Sequence, residues 1–288
     1  MALQMIRKPR TNAPPKEIRT EDVEIRLLLE GVFQLHGYDF RQYEPGKIRS
    51  RILSRLRAEG LESVSQYQHR ILRDRGCLER LIEGLILRRR ALFDPPGLWR
   101  LLRRKVIPVL RTYPTSRLWV AGCATGEEAY SLAILLQEEG LGSRSMVYAT
   151  ELDENILARA RQGWLSPGQY ASAQGNYKLT GGRASLASHL SRSGNGFVLN
   201  GPLSGRIVFA SHSLATDSSF NEFNVILCRN LLSKFDPSLQ GRARSLLHQS
   251  LGIFGYIALG SRESMNDTRL SGCYEPFNRE NHLYRRIR

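Results

Sequence analysis

The stretch WVAGCATGEEAYSLA, residues 119–133, decides the fold of this 288-residue chain. An apolar run ends at Ala121, two glycines flank a turn of small residues, and a pair of glutamates opens a second apolar run. A strand that turns sharply into a helix has this composition, because Gly122 and Gly126 permit backbone conformations and a close ligand approach that a Cβ would forbid. Working outward, RLWVA (117–121) predicts a buried strand and residues 127–139 an amphipathic helix. MVYATEL (146–152) and residues 154–162 predict a second strand and a second helix. That is a βαβ unit, which requires a parallel sheet. RIVFA (206–210), FNVILC (223–228) and YIALG (256–260) are continuous apolar runs of the kind buried strands show, and HLYRRI (282–287) predicts a final edge strand. Residues 163–205 are rich in Gly and Ser and too long for an ordinary loop, so they predict an inserted subdomain with a short strand at FVLN (197–200).

Upstream the pattern is helical. Val23, Leu27, Leu28, Val32, Phe33 and Leu35 recur at three-to-four spacing, and Gly37 stops that helix. Ile48, Ile52, Leu53 and Leu56 make the apolar stripe of a second helix that ends at Gly60, with Arg51 and Arg55 one turn apart beside it. Residues 66–72 and 77–87 predict two more short helices. The organisation expected is a loose basic tail (1–20), an all-helical domain (21–92), an interdomain linker (93–114) and a ligand-binding α/β domain (115–288).

The net charge is +15, with 42 Lys and Arg against 27 Asp and Glu. Between Arg49 and Arg111, sixteen basic residues face six acidic ones, a surplus of +10. Such a surface attracts an acidic protein, a nucleotide, nucleic acid or an anionic membrane without choosing among them. No apolar run approaches the roughly 20 residues that span a bilayer, and the first residues lack the apolar stretch of a secretory signal. Cys77, Cys123, Cys228 and Cys273 are scattered, without a C-x-x-C pair or histidines at metal spacing. A reducing cytoplasm is the expected setting, with no metal. Nucleic-acid methylation is not indicated: C-R-N-L (228–231) stands where an N-P-P-Y-like motif belongs, and no Pro-Cys nucleophile occurs.

At the carboxyl end of the first strand, ligands of an open α/β sheet bind in the crevice. A phosphate loop is excluded because no G-K-[ST] follows, and the glycine spacing is not that of a dinucleotide fingerprint. Glu127 and Glu128 would repel a pyrophosphate, so a cationic nucleoside such as S-adenosylmethionine fits better. Glu151, ending the second strand, is placed to accept from ribose hydroxyls, and Glu128 to accept from the ligand's ammonium or from a neighbouring loop. Glu127 reads as a helix N-terminal charge favoured by the dipole.

AGCATGEEAYS, VYATELDENILARAR, FNVILCRNLLSKFD and GYIALGSRES together resemble the CheR family, the chemoreceptor glutamate methyltransferases of bacterial chemotaxis. GYDFRQYEPGKIRSRILSRLRAEGLESVSQYQHRIL is similar to that family's N-terminal helical domain, and the likeness runs over residues 23–287. The resemblance implies an α/β fold: a Rossmann-like methyltransferase domain with a small inserted β-subdomain, preceded by an all-helical N-terminal domain. It implies methyl transfer from S-adenosylmethionine to receptor glutamates, leaving S-adenosylhomocysteine. By motif position Gly122, Ala124, Gly126, Glu128, Glu151, Ser213, Leu214, Asn230 and Leu231 surround the cofactor. Arg49, Arg51, Arg55 and Arg57 face the acidic methylation helices of the receptor.

The chain departs from the family on the reactive side. Where a T-N-x-T-x-F-F-R-D-P-like linker is usual, it carries ILRRRALFDPP (86–96), so the family's Asn, Thr and Arg become Arg88, Arg90 and Asp94. The family's tyrosine becomes Lys234, Ser213 replaces an Asn, and G-H-S-E-S becomes GSRES (260–264). Two explanations follow. Either a divergent methyltransferase uses Arg88, Arg89 or Arg90 as its cation, or the fold persists as a binding module. In the second case Arg88, Arg89, Arg90, Arg103 and Arg104 could pair with an anionic nucleotide, while Trp99, Trp119 and Tyr113 read as core rather than as base-stacking residues.

Overall fold

The computed structural model describes residues 19–86, 91–265 and 270–288. The tail expected over 1–20 falls outside them apart from its last two residues. Four helices come first: α1 (Thr20–His36), α2 (Pro45–Ala58), α3 (Val64–Ile71) and α4 (Arg75–Ile86). Gly37 caps α1 in the left-handed region, as a helix stop requires. The buried face of α1 is Ile25, Leu28, Leu29 and Val32. The expected stripe was therefore set off-register: Val23, Leu27 and Leu35 are exposed. Ser63 and Gln66 form a reciprocal capping box that starts α3 two residues earlier than the apolar spacing suggested.

A longer helix follows in three parts: α5 (Pro96–Leu101), a π turn (Leu102–Val106) and α6 (Ile107–Leu110). Pro108 has no N–H for the carbonyl of Arg104 and its ring crowds that carbonyl, which widens the turn before it. Then come β1 (Ser116–Ala121), α7 (Glu127–Glu138), β2 (Ser145–Glu151) and α8 (Glu154–Gln162), within a residue or so of the sequence expectation. The insert contains β3 (Trp164–Leu165), α9 (Pro167–Leu179), β4 (Leu190–Ser193), β5 (Gly196–Leu199) and the short α10 (Gly201–Ser204). Its small antiparallel sheet is ordered β3-β5-β4. The helix α9 was not anticipated: it buries only Ala173 and Tyr177, too few for a visible stripe, although Ser166, Pro167 and Gln169 write its N-terminus.

The main sheet is completed by β6 (Ile207–Ser211), β7 (Phe223–Cys228), the helix α11 (Pro237–Ser250), β8 (Leu251–Leu259), β9 (Tyr274–Asn278) and β10 (Leu283–Arg286). Strand order is β6-β2-β1-β7-β8-β10-β9, parallel except for the last two. The expectation that HLYRRI forms the edge is corrected: β10 lies between β8 and β9. The edge is β9, whose Pro276 cannot donate a ladder bond and disguises the strand in the sequence. The strand β8 begins five residues before YIALG, because the stretch after Leu251 bulges away from β7. Helices cover both faces: Leu118, Val120, Ile134 and Leu157 pack on one side and Trp119, Ile226, Leu247 and Ile257 on the other. Trp99 and Trp119 are wholly buried, as core residues, and Cys228 is a small buried filler.

The helical domain is fastened over the carboxyl ends of the strands. Glu44 N donates to the Lys234 carbonyl (2.7 Å), Asp236 N donates to the Gln42 carbonyl (2.8 Å), and the Tyr38 hydroxyl donates to Asp153 (2.6 Å). The Tyr43 and Phe235 rings meet edge to face at 5.2 Å. Two polypeptide segments far apart in sequence thereby frame one crevice.

Candidate cofactor crevice

The crevice forms where β1, β2 and β7 end and the chain turns. After β1, Gly122 N and Cys123 N both donate to the Thr150 carbonyl at 2.9 Å, which folds the chain back over β2. Gly122 has φ +70°, and a Cβ there would stand 2.8 Å from Leu231. Ala124 (φ 49°) and Asn230 (φ 58°) also occupy the left-handed region, which costs a residue with a Cβ about 1 kcal/mol or more. Such backbone persists where surrounding contacts over-determine it, and here they do.

Glu151 is one of those contacts. Its Oε2 accepts from Ala124 N (3.0 Å) and its Oε1 from Leu152 N (2.7 Å). Burial raises the Glu151 carboxyl above its ordinary range, opposed by those backbone donors and by Lys234. Each oxygen retains a lone pair for a hydroxyl donor. Glu263 does the same for the loop after β7, accepting from Asn230 N (2.8 Å), Gly260 N (2.7 Å) and Ser233 N (2.8 Å). It is the glutamate of GSRES, buried and organising the backbone.

Two adjoining hollows result, of about 30 and 20 Å³. Tyr43, Gly122, Glu151 and Leu231 line both. The first adds Ser213 and Leu214, the second Ala124, Arg229, Asn230 and Lys234. Seven of the nine expected cofactor residues are thus brought together. Gly126 and Glu128 do not line the hollows. Gly126 caps α7 at φ +92°, against the ring of Tyr130 and the methyl of Ala160. Glu128 takes the neighbouring-loop option, its Oε1 accepting from Arg229 at 2.5 Å. Glu127 accepts from the Thr125 hydroxyl (2.6 Å), a local contact at the helix start.

Three site residues went unread in the sequence: Arg229, Tyr43 and Glu263. Arg229 also donates to the Asp94 carbonyl (2.8 Å), tying the linker to the cofactor loop. Its signal is its place directly after a buried strand, in C-R-N-L. Asp94 itself is exposed and offers only its carbonyl to this network. Lys234 is buried and donates to the Ile86 carbonyl at the end of α4 (2.8 Å). Arg88, Arg89 and Arg90 lie outside the described residues.

The arginine face of α2 is largely spoken for. Arg49 pairs with Glu21 (2.7 Å) and Asp22 (3.4 Å), and Arg55 with Glu59 (2.9 Å). Arg51 donates to the Gly84 and Leu85 carbonyls at the C-terminus of α4. Of the four expected partner-facing residues, Arg57 is the exposed one. Arg103 is likewise not available to a nucleotide: it spans Glu138 (2.6 Å) and Glu139 (2.8 Å) in a buried pairing.

A parallel sheet whose crevice offers a glycine turn, a buried carboxylate for hydroxyls and apolar walls has the architecture of an S-adenosylmethionine-dependent methyltransferase. Comparison with known proteins agrees. The family model described as CheR methyltransferase, SAM binding domain, matches residues 92–275, and CheR methyltransferase, all-alpha domain, matches 23–86. The chain belongs to the CheR methyltransferase family. It is 40% identical over 268 residues to the putative methyltransferase Cher3 of Pseudomonas putida, covering 93% of this chain and 98% of that one. It is 28% identical to a chemotaxis protein methyltransferase of Listeria innocua, over 80% of this chain and 85% of that one. Among solved structures, the N-methyltransferase NodS of Bradyrhizobium japonicum, complexed with S-adenosylhomocysteine, is 14% identical with a TM-score of 0.32, covering 59% of this chain and 62% of that one. That likeness is too distant to bear on the assignment. No helix among the described residues is long and apolar enough to cross a membrane.

Proposed function

We propose that this methyltransferase acts on carboxylate side chains, glutamates of a chemoreceptor or a similar signalling protein. The observation that carries the reading is that two cationic side chains, Arg229 and Lys234, line the same hollow as Glu151. A glutamate is already ionised near neutral pH and needs no general base. What it needs is a cation to draw it out of water and align it. S-adenosylmethionine, when bound, supplies the electrophilic methyl. Glu151 would take the ribose hydroxyls, Ser213 and Leu214 would flank the base, and Gly122 admits the ligand to the backbone. A partner reaches this end from the strands' carboxyl edge, and a bacterial cytoplasm is the setting such a partner requires.

A second reading is favoured by one feature. The family's arginine and tyrosine positions hold Asp94, which presents a carbonyl, and Lys234, whose amine is committed in part to Ile86. A protein that binds the cofactor without turnover would look the same. Calorimetry with S-adenosylhomocysteine, followed by transfer of tritiated methyl to glutamate-rich helical peptides, separates the two. Binding with base-labile methyl incorporation supports the enzyme; binding without incorporation supports the module. No heat with the nucleoside overturns both.

A further inference from the structure

We propose that the groove between the helix over 96–105 and the turn joining β9 to β10 docks an acidic polypeptide segment of the methyl-accepting protein. The proposal rests on the protein-substrate reading above and deepens it. The groove has a volume of about 430 Å³, with Arg100, Arg104 and Lys105 on one wall and Asn278, Glu280 and Asn281 on the other.

Its charge is the first argument. Arg100, Arg104 and Lys105 are exposed, and none forms an ion pair or a side-chain hydrogen bond among the described residues. Their immediate neighbour Arg103 points the other way, into Glu138 and Glu139. The π turn produces this division. Within that turn Arg103 is held inward by its glutamates while Arg104 and Lys105 remain exposed. Three unpaired cations thus meet a single acid, Glu280, on the facing wall. By contrast Arg49 and Arg55 of α2 are engaged by glutamates.

Position is the second argument. Leu283 pairs with Ala258 and Leu259 N donates to the His282 carbonyl (3.0 Å), so the β9–β10 turn stands at the carboxyl end of β8. Just past β8, Gly260 N shares the Glu263 carboxylate with Asn230 N, and Asn230 lines the hollow of Arg229 and Lys234. The floor of the groove begins at Gly97, three residues after Asp94, whose carbonyl Arg229 holds. Asn281 Oδ1 lies 3.0 Å from where a Cβ on Gly97 would stand, so the glycine permits the two walls to meet. Asn281 is itself fixed, donating twice to Asn278 Oδ1 at 2.9 Å. A polypeptide whose glutamate enters the hollow continues past Asp94 and runs along this cationic wall. An open groove with solvated cations suits a long, repeated anion better than a single phosphate.

The test is fluorescence anisotropy of a labelled helical peptide of Glu-Glu-Ala-Ala repeats, binding to the full chain at low and raised salt. The double variant R100E/R104E should weaken binding about tenfold and flatten its salt dependence. The charge-matched R117E/R206E, at the opposite ends of β1 and β6, should change it less than about twofold. Equal loss in both doubles, or none in either, overturns the proposal. So does displacement of the peptide by inorganic triphosphate in a manner that needs Arg104, which would make this a small-anion site. Calorimetry with S-adenosylhomocysteine on each variant reports folding and the crevice separately. If the unmodified protein gives no such heat while the peptide still discriminates the doubles, the groove stands and the methyltransfer reading falls.

Discussion

The guanidinium of Arg229 joins the carboxylate of Glu128 at 2.5 Å while donating to the carbonyl of Asp94 at 2.8 Å. One side chain thus holds the cofactor loop, the strand β7 and the interdomain linker together. Both partners are nearly buried, so removing one leaves an uncompensated charge. Glu128→Ala is expected to lower stability by about 3 kcal/mol, and the double variant Glu128→Ala/Arg229→Ala by less than the sum of the singles. Urea unfolding of the four proteins measures the coupling; additive losses would refute it.

Glu151 is the acceptor on which nucleoside recognition is placed. Hydrogen bonds to a charged acceptor contribute about 1.5–3 kcal/mol, so Glu151→Gln should weaken S-adenosylhomocysteine binding by roughly one to two orders of magnitude. Calorimetry reads this directly. An unchanged affinity would remove Glu151 from the cofactor's contacts.

Gly260 has no room for a side chain. A Cβ there would stand 2.4 Å from Asn230 Oδ1, 2.6 Å from Asn230 N and 2.8 Å from Glu263 Oε2. Gly260→Ala is expected to displace the loop after β7, costing about 2–3 kcal/mol and most of the cofactor affinity. Thermal melts with and without S-adenosylhomocysteine test both halves.

Acid should loosen the insert. Burial raises the Glu138 carboxyl, but contacts with His189, Tyr177 and Arg103 outweigh it and hold the group at about 2. A carboxyl lower in the folded than in the unfolded state contributes stability above its unfolded value of 4.5. That contribution is lost as pH falls from about 4.5 toward about 2. Urea midpoints over this window should fall for the unmodified chain and fall less for Glu138→Gln.

Lys234 ties the loop after β7 to α4 through the Ile86 carbonyl. Lys234→Met keeps the volume and removes the donor, with an expected cost of about 1–3 kcal/mol. Faster amide exchange confined to the end of α4 and to residues 230–236 would locate the loss; uniform exchange would contradict it.

The sequence by itself determined the βαβ frame and the crevice. The strands and the helix after the first of them are continuous, largely buried apolar runs, and a glycine turn leaves few alternatives. Glu151 was legible because it ends a strand beside the crevice. The partners of the site residues were not legible. Arg229 to Glu128, Lys234 to Ile86 and Tyr43 to the hollows span separations of roughly 100 residues or more, which no local pattern encodes. The same holds for the arginines. Sequence showed a basic surplus between Arg49 and Arg111, but only packing decided that Arg51 caps α4 and Arg103 meets Glu138 and Glu139. A charge can be counted in a sequence, whereas its solvation depends on what the fold brings opposite it. The cations left exposed at Arg100, Arg104 and Lys105 are therefore a property of the tertiary structure alone.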